Sequence, residues 1–459
     1  MKIDVILNEP NGKGKFADIK LRYTDLDSSV RDVSLNIGFG ELHSLVGDTT
    51  SLTFDFFLIS AIVYGVDNLL GRYLFSIDAW AREIEVTIPV QNPTVWNASS
   101  KEVEEVLTFL TGDYWNVSFT KATVKQFYKR KASRLKDRIF SREKSKYTFA
   151  SLFSGGLDSL IGVIDNLNSL TDNDKGLLIS HFDGTSPGAN SDQERLNAYL
   201  ANQAKYNFDW IQEPVSLSSS DNTGKDVSKE SSYRSRSILF ISIGVYCVEH
   251  LPNVHTLLVP ENGTISLNYP LTPSRSSTLS TRTTHPFYLR SLQSLINKIG
   301  IGTTIESQPY VDMTKGEMVV NCANQKALKG IYQTAVSCGK RGRKQHWDTR
   351  SGTSHCGVCM PCIYRRAALH KNGWDTQLYG IDIFTTPKTI LEIQDMPALF
   401  DFLKTNQTSE VIKRTIMANG AWSDNIDKNV ALVNRVKLEI KDWLKAKGNK
   451  NLKDLAGIK

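Results

Sequence analysis

The hexapeptide Ser154-Gly155-Gly156-Leu157-Asp158-Ser159 stands between an apolar run at 147–153 and an amphipathic one at 160–170. That pattern predicts a strand, a tight glycine turn and a helix N-terminus, which together aim backbone N–H groups and the positive end of the helix dipole at an anion. Two adjacent glycines allow positive φ and let the backbone approach a phosphate with no Cβ in the way. The Gly-Lys-Ser/Thr ending of a Walker loop is absent, so a kinase or GTPase site is not expected. The plainer alternative is a serine-rich turn that only caps a helix, because Ser154, Asp158 and Ser159 are all good capping residues.

Outward from this turn, apolar strand-length runs alternate with helix-length segments from residue 146 onward. Such alternation predicts a doubly wound parallel sheet, whose ligands bind at the carboxyl ends of the strands. A polar stretch at 216–232 reads as a lid. It is followed by Tyr233-Arg234-Ser235-Arg236 at the start of an apolar helix. Arginines there oppose the helix dipole, so Arg234 and Arg236 are expected to serve an anion. A strand over 255–260 would deliver Glu261, Asn262 and Gly263 to the site, and a hydroxyl-rich loop around Arg275 follows. Thr314 and Glu317 have capping-box spacing beside Lys315, a surface residue or a phosphate contact.

At 459 residues the chain exceeds one ordinary core. We divide it into a mixed α/β region at 1–145 for partner or substrate recognition, a nucleotide-binding region at 146–375 and a helical tail at 376–459. No signal-like leader is read at the N-terminus, and the longest apolar run, 56–66, is far short of a membrane span, so a cytoplasmic protein with no membrane partner is expected. Net charge is +7, and eleven Lys or Arg fall between Lys121 and Lys146 against Asp137 and Glu143. A solvated helix face explains that stretch better than nucleic acid does.

Cys356, Cys359 and Cys362 form two overlapping C-x-x-C units, and Cys338 upstream supplies a fourth thiol. Four soft ligands fill a tetrahedral Zn²⁺ site and leave no open position, so the metal is expected to be structural. An iron-sulfur cluster is the alternative, and His346 and His355 are the substitute ligands. Cys247 and Cys322 fall in apolar or helical segments and read as buried hydrophobes.

The hexapeptide resembles the S-G-G-x-D-S signature of PP-loop ATP pyrophosphatases. Taken in order with the Arg-led helix, Glu261-Asn262-Gly263, Tyr269-Pro270, Thr314-Lys315-Gly316-Glu317 and the cysteine cluster followed by Arg365-Arg366, it resembles the QueC family of 7-cyano-7-deazaguanine synthases over 146–372. The long N-terminal region, the tail and Thr283-Thr284-His285-Pro286 are most similar to the QatC-type branch of that family, found in Qat anti-phage defence systems. The resemblance implies a PP-loop enzyme, a ligase or amidating enzyme that uses ATP and Mg²⁺ to adenylate a 7-deazaguanine carboxylate for attack by ammonia or a partner-protein amine, alongside other defence subunits. It implies ATP binding by Ser154, Gly155, Gly156, Leu157, Asp158 and Ser159. By the same resemblance Asp158, Lys315 and Asn262 are catalytic, while Arg236, Glu261, Asn262, Gly263 and Arg275 hold the substrate. A tRNA-modifying enzyme and a non-catalytic ATP-binding subunit are the competing readings.

Overall fold

The computed structural model describes residues 1–459 except 79, 132–143, 185–187, 231, 233, 273–281, 394 and 421–424. Arg275, Tyr233 and residues 132–143 of the basic stretch between Lys121 and Lys146 therefore lie outside the described residues. The described strands are β1 (Lys2–Asn8), β2 (Lys15–Phe16), β3 (Asp18–Thr24), β4 (Val30–Ile37), β5 (Glu83–Val90), β6 (Tyr114–Lys121), β7 (Tyr128–Lys129), β8 (Tyr147–Leu152), β9 (Lys175–Phe182), β10 (Phe208–Leu217), β11 (Thr256–Leu258) and β12 (Thr304–Glu306). Ten of them form one sheet in the order β12-β11-β8-β9-β10-β4-β3-β1-β5-β6, while β2 and β7 pair separately.

The sheet is α/β and mostly parallel. From β12 to β10 every neighbour is parallel. Read from β10 to β12, those five strands stand third, second, first, fourth, fifth in chain order, so the order reverses between β8 and β11. Crossovers leave opposite faces on either side of that reversal, which opens a crevice at the strands' carboxyl ends. The strands β1, β3, β4, β5 and β6 of residues 1–145 extend the same ten-stranded sheet, and β2 and β7 make a small pair beside it. β4 pairs antiparallel with β10 through Val215–Ile37 and Leu217–Leu35, and β1, β5 and β6 continue in parallel beyond.

Alternation explains the outer strands. In β5, Ile84, Val86 and Ile88 point into the core while Glu83, Glu85 and Thr87 do not, and burial becomes continuous at Pro89 and Val90. β6 is an edge strand with alternating burial, and two of its amides are satisfied by side chains: Asn97 Oδ1 accepts from Phe119 N at 3.0 Å and Glu104 Oε1 from Val117 N at 2.9 Å. Occupied donors discourage strand addition at that edge.

The helix Leu52–Leu69 starts where Ser51 accepts a bond from Phe54 N at 3.2 Å. It is long and apolar enough to cross a membrane, yet 94% of it is buried inside the protein. It packs on the helix Arg236–Val248, with the Phe57 and Tyr246 rings stacked at 6.0 Å. The stretch read as a lid is instead tied down. Ser216 and Leu217 complete β10, Ser220 bridges Asp226, and Asp221 pairs with Arg31 at 3.3 Å. Its polar residues find partners on β4, about 190 positions away in sequence.

The tail is helical, with Met396–Lys404, Ser409–Ala418, Ile426–Lys447 and Lys450–Leu455. It buries an apolar face on the helix Met360–His370 that leaves the cysteine cluster.

Candidate functional site

β8 ends at Leu152, and the chain turns through Gly155 at φ +84° into the helix Leu157–Asn168. Only glycine takes that φ without strain, and a Cβ there would also sit 3.1 Å from Gln193 Cγ. Ser154 Oγ accepts from Gly156 N at 3.3 Å and lies 3.0 Å from Ser159 Oγ. The turn is braced from outside the motif. Val336 N donates to Gly155 O at 3.0 Å, and Ser337 Oγ accepts from Leu157 N at 3.4 Å.

β11 delivers its loop beside this turn. The turn and loop open on one cavity of about 410 Å³, lined among others by Ser154, Gly156, Leu157, Asp158, Ser159, Arg236, Glu261 and Lys315. The cavity therefore sits where the strand order reverses, as expected of a ligand site in such a sheet.

Asp158 is the centre of a buried polar group. Lys315 donates its ammonium to Oδ1, and Asn262 Nδ2 donates to Oδ2 at 2.7 Å. Burial pushes the Asp158 carboxyl upward, but the Lys315 charge and hydrogen bonds from Glu261, Lys315 and Asn262 hold it below its ordinary value. Burial first, and the Asp158 charge second, push Glu261 well above its ordinary value, so it stays protonated and donates to Asp158.

Lys315 reaches the site because its helix, Lys315–Asn321, has both halves of the capping box: Thr314 Oγ1 accepts from Glu317 N, and Glu317 accepts from Thr314 N. The tail adds to this. Glu439 accepts from Thr314 Oγ1 at 2.7 Å and from Gly316 N at 3.1 Å. Lys315 is 2% exposed, so it is neither a surface residue nor free of a charge partner.

Three sequence expectations change here. Asn262 is wholly buried, caps the helix Gly263–Leu267 by accepting from Ile265 N, and holds Asp158; it does not line the cavity. Gly263 is a packing residue, because a Cβ would fall 2.1 Å from Val311 O. Arg234 turns away from the cavity, donating to Thr111 O at 2.8 Å and covering the Trp80 ring at 4.4 Å. Arg236 does line the cavity, and its Nη2 donates to His181 O at 3.4 Å.

Several residues of the site carried no sequence signal. Ser337 and the support from Glu439 depend on contacts spanning 125 to 180 positions. Only the Ser337-Cys338 adjacency could have drawn attention to the first.

Cys338, Cys356, Cys359 and Cys362 converge so that their sulfurs all lie within 4.8 Å of one another. Backbone amides point at them: Lys340 N and Cys356 N at Cys338 Sγ, and Val358 N and Cys359 N at Cys356 Sγ. Such N–H···S contacts suit thiolates, so the donor set fits a four-coordinate soft metal such as zinc. Gly357 makes the tight turn at φ +84°, where a Cβ would meet Ile381 O at 2.2 Å. His355 is not among the ligands; its Nε2 meets Ser337 N and its Nδ1 meets Gln377. His346 is also outside the cluster. Cys338 itself lines the cavity, which joins the cysteine cluster to the glycine turn.

No protein-family model, curated protein or solved structure matches the chain.

Proposed function

We propose that the chain is a cytoplasmic ATP pyrophosphatase of the PP-loop, QueC-like type, which adenylates the carboxylate of a 7-deazaguanine and passes it to an amine. The observation that carries the reading is the glycine turn and helix N-terminus opening, at the reversal of strand order, on a cavity that holds a buried Asp158–Lys315 pair.

In this reading the substrate carboxylate attacks the α-phosphorus of ATP, the bond to the β,γ-phosphates breaks, and pyrophosphate leaves. An amine then displaces AMP from the acyl adenylate. The Gly156 and Leu157 amides and the Ser154 and Ser159 hydroxyls hold the departing pyrophosphate. Lys315 balances phosphate charge while Asn262 keeps Asp158 in place. Arg236 meets the substrate, and the apolar side chains Phe240, Ile241 and Val259 wall the cavity for a flat ring. Mg²⁺ would enter on the ATP phosphates and neutralise pyrophosphate charge, since Asp158 is spent on Lys315 and Asn262 and Glu261 keeps its proton. A zinc ion in the cysteine cluster would fix the wall at 336–339 rather than take part in the chemistry. The acceptor amine, ammonia or a protein amine of another defence subunit, enters after adenylation.

The test is pyrophosphate release by metal-loaded protein with Mg²⁺-ATP and 7-carboxy-7-deazaguanine. Release that depends on the deazaguanine and falls at least a hundredfold in Asp158→Ala supports the reading. Release that ignores the deazaguanine, or survives that substitution, refutes it.

A further inference from the structure

Gln193 is wholly buried on the helix Ala189–Ala201, and its side-chain amide reaches three neighbouring strands or the turns that leave them. Its Nε2 donates to Ser154 O, in the turn after β8, and to His181 O near the end of β9, both at 3.1 Å. Its Oε1 accepts from Gln212 Nε2 on β10 at 2.8 Å. Both backbone partners are carbonyls, which only accept, so the side of the amide that faces them must be the nitrogen. Both amide hydrogens are used, and the side chain is held in one orientation.

The consequence falls on the glycine turn. A trans peptide is planar, so gripping Ser154 O also fixes the Gly155 N–H, which points the opposite way. The Gln193 stem stands against the same residue, because a Cβ on Gly155 would lie 3.1 Å from Gln193 Cγ. The turn is thus set by Val336 and Ser337 from the cysteine segment and by Gln193 from this helix. His181 O also accepts from Arg236 Nη2 at 3.4 Å, so both lone pairs of that carbonyl are occupied, and an arginine of the cavity lining shares an anchor with the turn.

We propose that Gln193 is the positioning residue of the anion-binding turn. It does not line the cavity; it holds the turn ready for the phosphates of a nucleotide before they arrive. This inference rests on the nucleotide reading above and names a residue outside the hexapeptide on which phosphate affinity depends. Methionine in its place has a similar reach and no donor, so Ser154 O loses its hold while His181 O keeps Arg236.

The experiment is calorimetric titration of the metal-loaded full chain with Mg²⁺-ATP and with Mg²⁺-pyrophosphate, for wild type, Gln193→Met, Gln212→Leu and Leu200→Ala. Leu200 is a buried core residue of the same helix, so Leu200→Ala lowers stability without touching the turn. Gln193→Met is expected to bind pyrophosphate at least tenfold more weakly than wild type. Gln212→Leu, which leaves the donor but frees its orientation, is expected to bind it about threefold more weakly. Leu200→Ala is expected to keep wild-type affinity despite a lower thermal midpoint. Wild-type affinity in Gln193→Met, or an equal loss in Leu200→Ala, overturns the positioning role and leaves the nucleotide reading standing. Should Gln193→Met not fold, Gln212→Leu decides, and wild-type affinity there overturns the role. Wild type that binds neither Mg²⁺-ATP nor Mg²⁺-pyrophosphate overturns the nucleotide reading and this inference with it.

Discussion

Replacing Lys315 with methionine should turn the Asp158 carboxylate from a stabilising group into a destabilising one. The two side chains are 3% and 10% exposed, so water replaces little of the lost ammonium. Breaking such a pair from one side costs about 3–5 kcal/mol. With about 2.1 cal/mol/K of unfolding entropy per residue, 459 residues give roughly 1 kcal/mol/K, so the midpoint should fall by about 3–5 °C if the chain unfolds as a unit. The pH dependence identifies the cause. In wild type the Asp158 carboxyl is held below its ordinary value, so its contribution is present above the unfolded carboxyl range and is lost as pH falls through the folded value. In Lys315→Met, burial is opposed only by the hydrogen bonds from Glu261 and Asn262, the folded value rises, and the penalty grows as pH climbs above the unfolded range. Calorimetry at pH 5 and pH 8 should show the larger deficit at pH 8, and Lys315→Met with Asp158→Asn should regain at least half of it. A deficit equal at both pH values, or a double variant no more stable than the single one, would refute the reasoning.

Glu213 on β10 is 1% exposed and accepts from Phe39 N, and burial pushes its carboxyl up to about 8. Because the folded value is raised, its contribution is full below about 4.5 and is lost as pH rises to about 8. Glu213→Gln should therefore flatten the fall in urea midpoint over that window, with a gain of up to about 5 kcal/mol at pH 8; a slope unchanged from wild type would count against it. Chelation should remove one metal per chain by mass spectrometry and make the four cluster thiols reactive; metal-free protein with those thiols still protected would argue against the site. Glu439→Ala should lower pyrophosphate release tenfold or more, by freeing Thr314 and Gly316, and Glu439→Gln should recover part of it. Full activity in Glu439→Ala would show that the tail does not hold Lys315.

The strand, glycine turn and helix around Gly155 could be read in the sequence because each is decided by neighbours within a few residues. The capping box at Thr314 and the three clustered cysteines were legible for the same reason. Arg234 and Arg236 were not distinguishable, since two residues of helix onset send one to Trp80 and the other to the cavity, and no local rule fixes that phase. The polar run at 216–232 looked unstructured because its partners, Arg31 and Asp32, lie about 190 positions earlier. Asn262 was placed near the substrate by its position after a strand and by resemblance. Its side chain is spent on a helix cap and on Asp158, a contact across 104 positions.

The support of the cavity explains why so much chain surrounds a short motif. Ser235, at the entrance to the helix that carries Arg236, donates from both N and Oγ to Asp67 Oδ2, at 3.1 and 2.5 Å. Asp67 ends the core helix Leu52–Leu69 and is itself held by Arg82, which Asp113 also grips. A carboxylate at that helix N-terminus favours the dipole and offsets the unfavourable arginines beside it. The N-terminal region thus touches the site through a buried charge network without lining the cavity. The tail acts in the same way on Lys315 through Glu439, and the cysteine knuckle on Gly155 and Leu157 through Val336 and Ser337. Each polar corner of the cavity is therefore fixed by a segment distant in sequence. A phosphate or a charged substrate must find its donors in place before it gives up water, so these distant segments supply the preorganisation that a six-residue turn cannot supply alone.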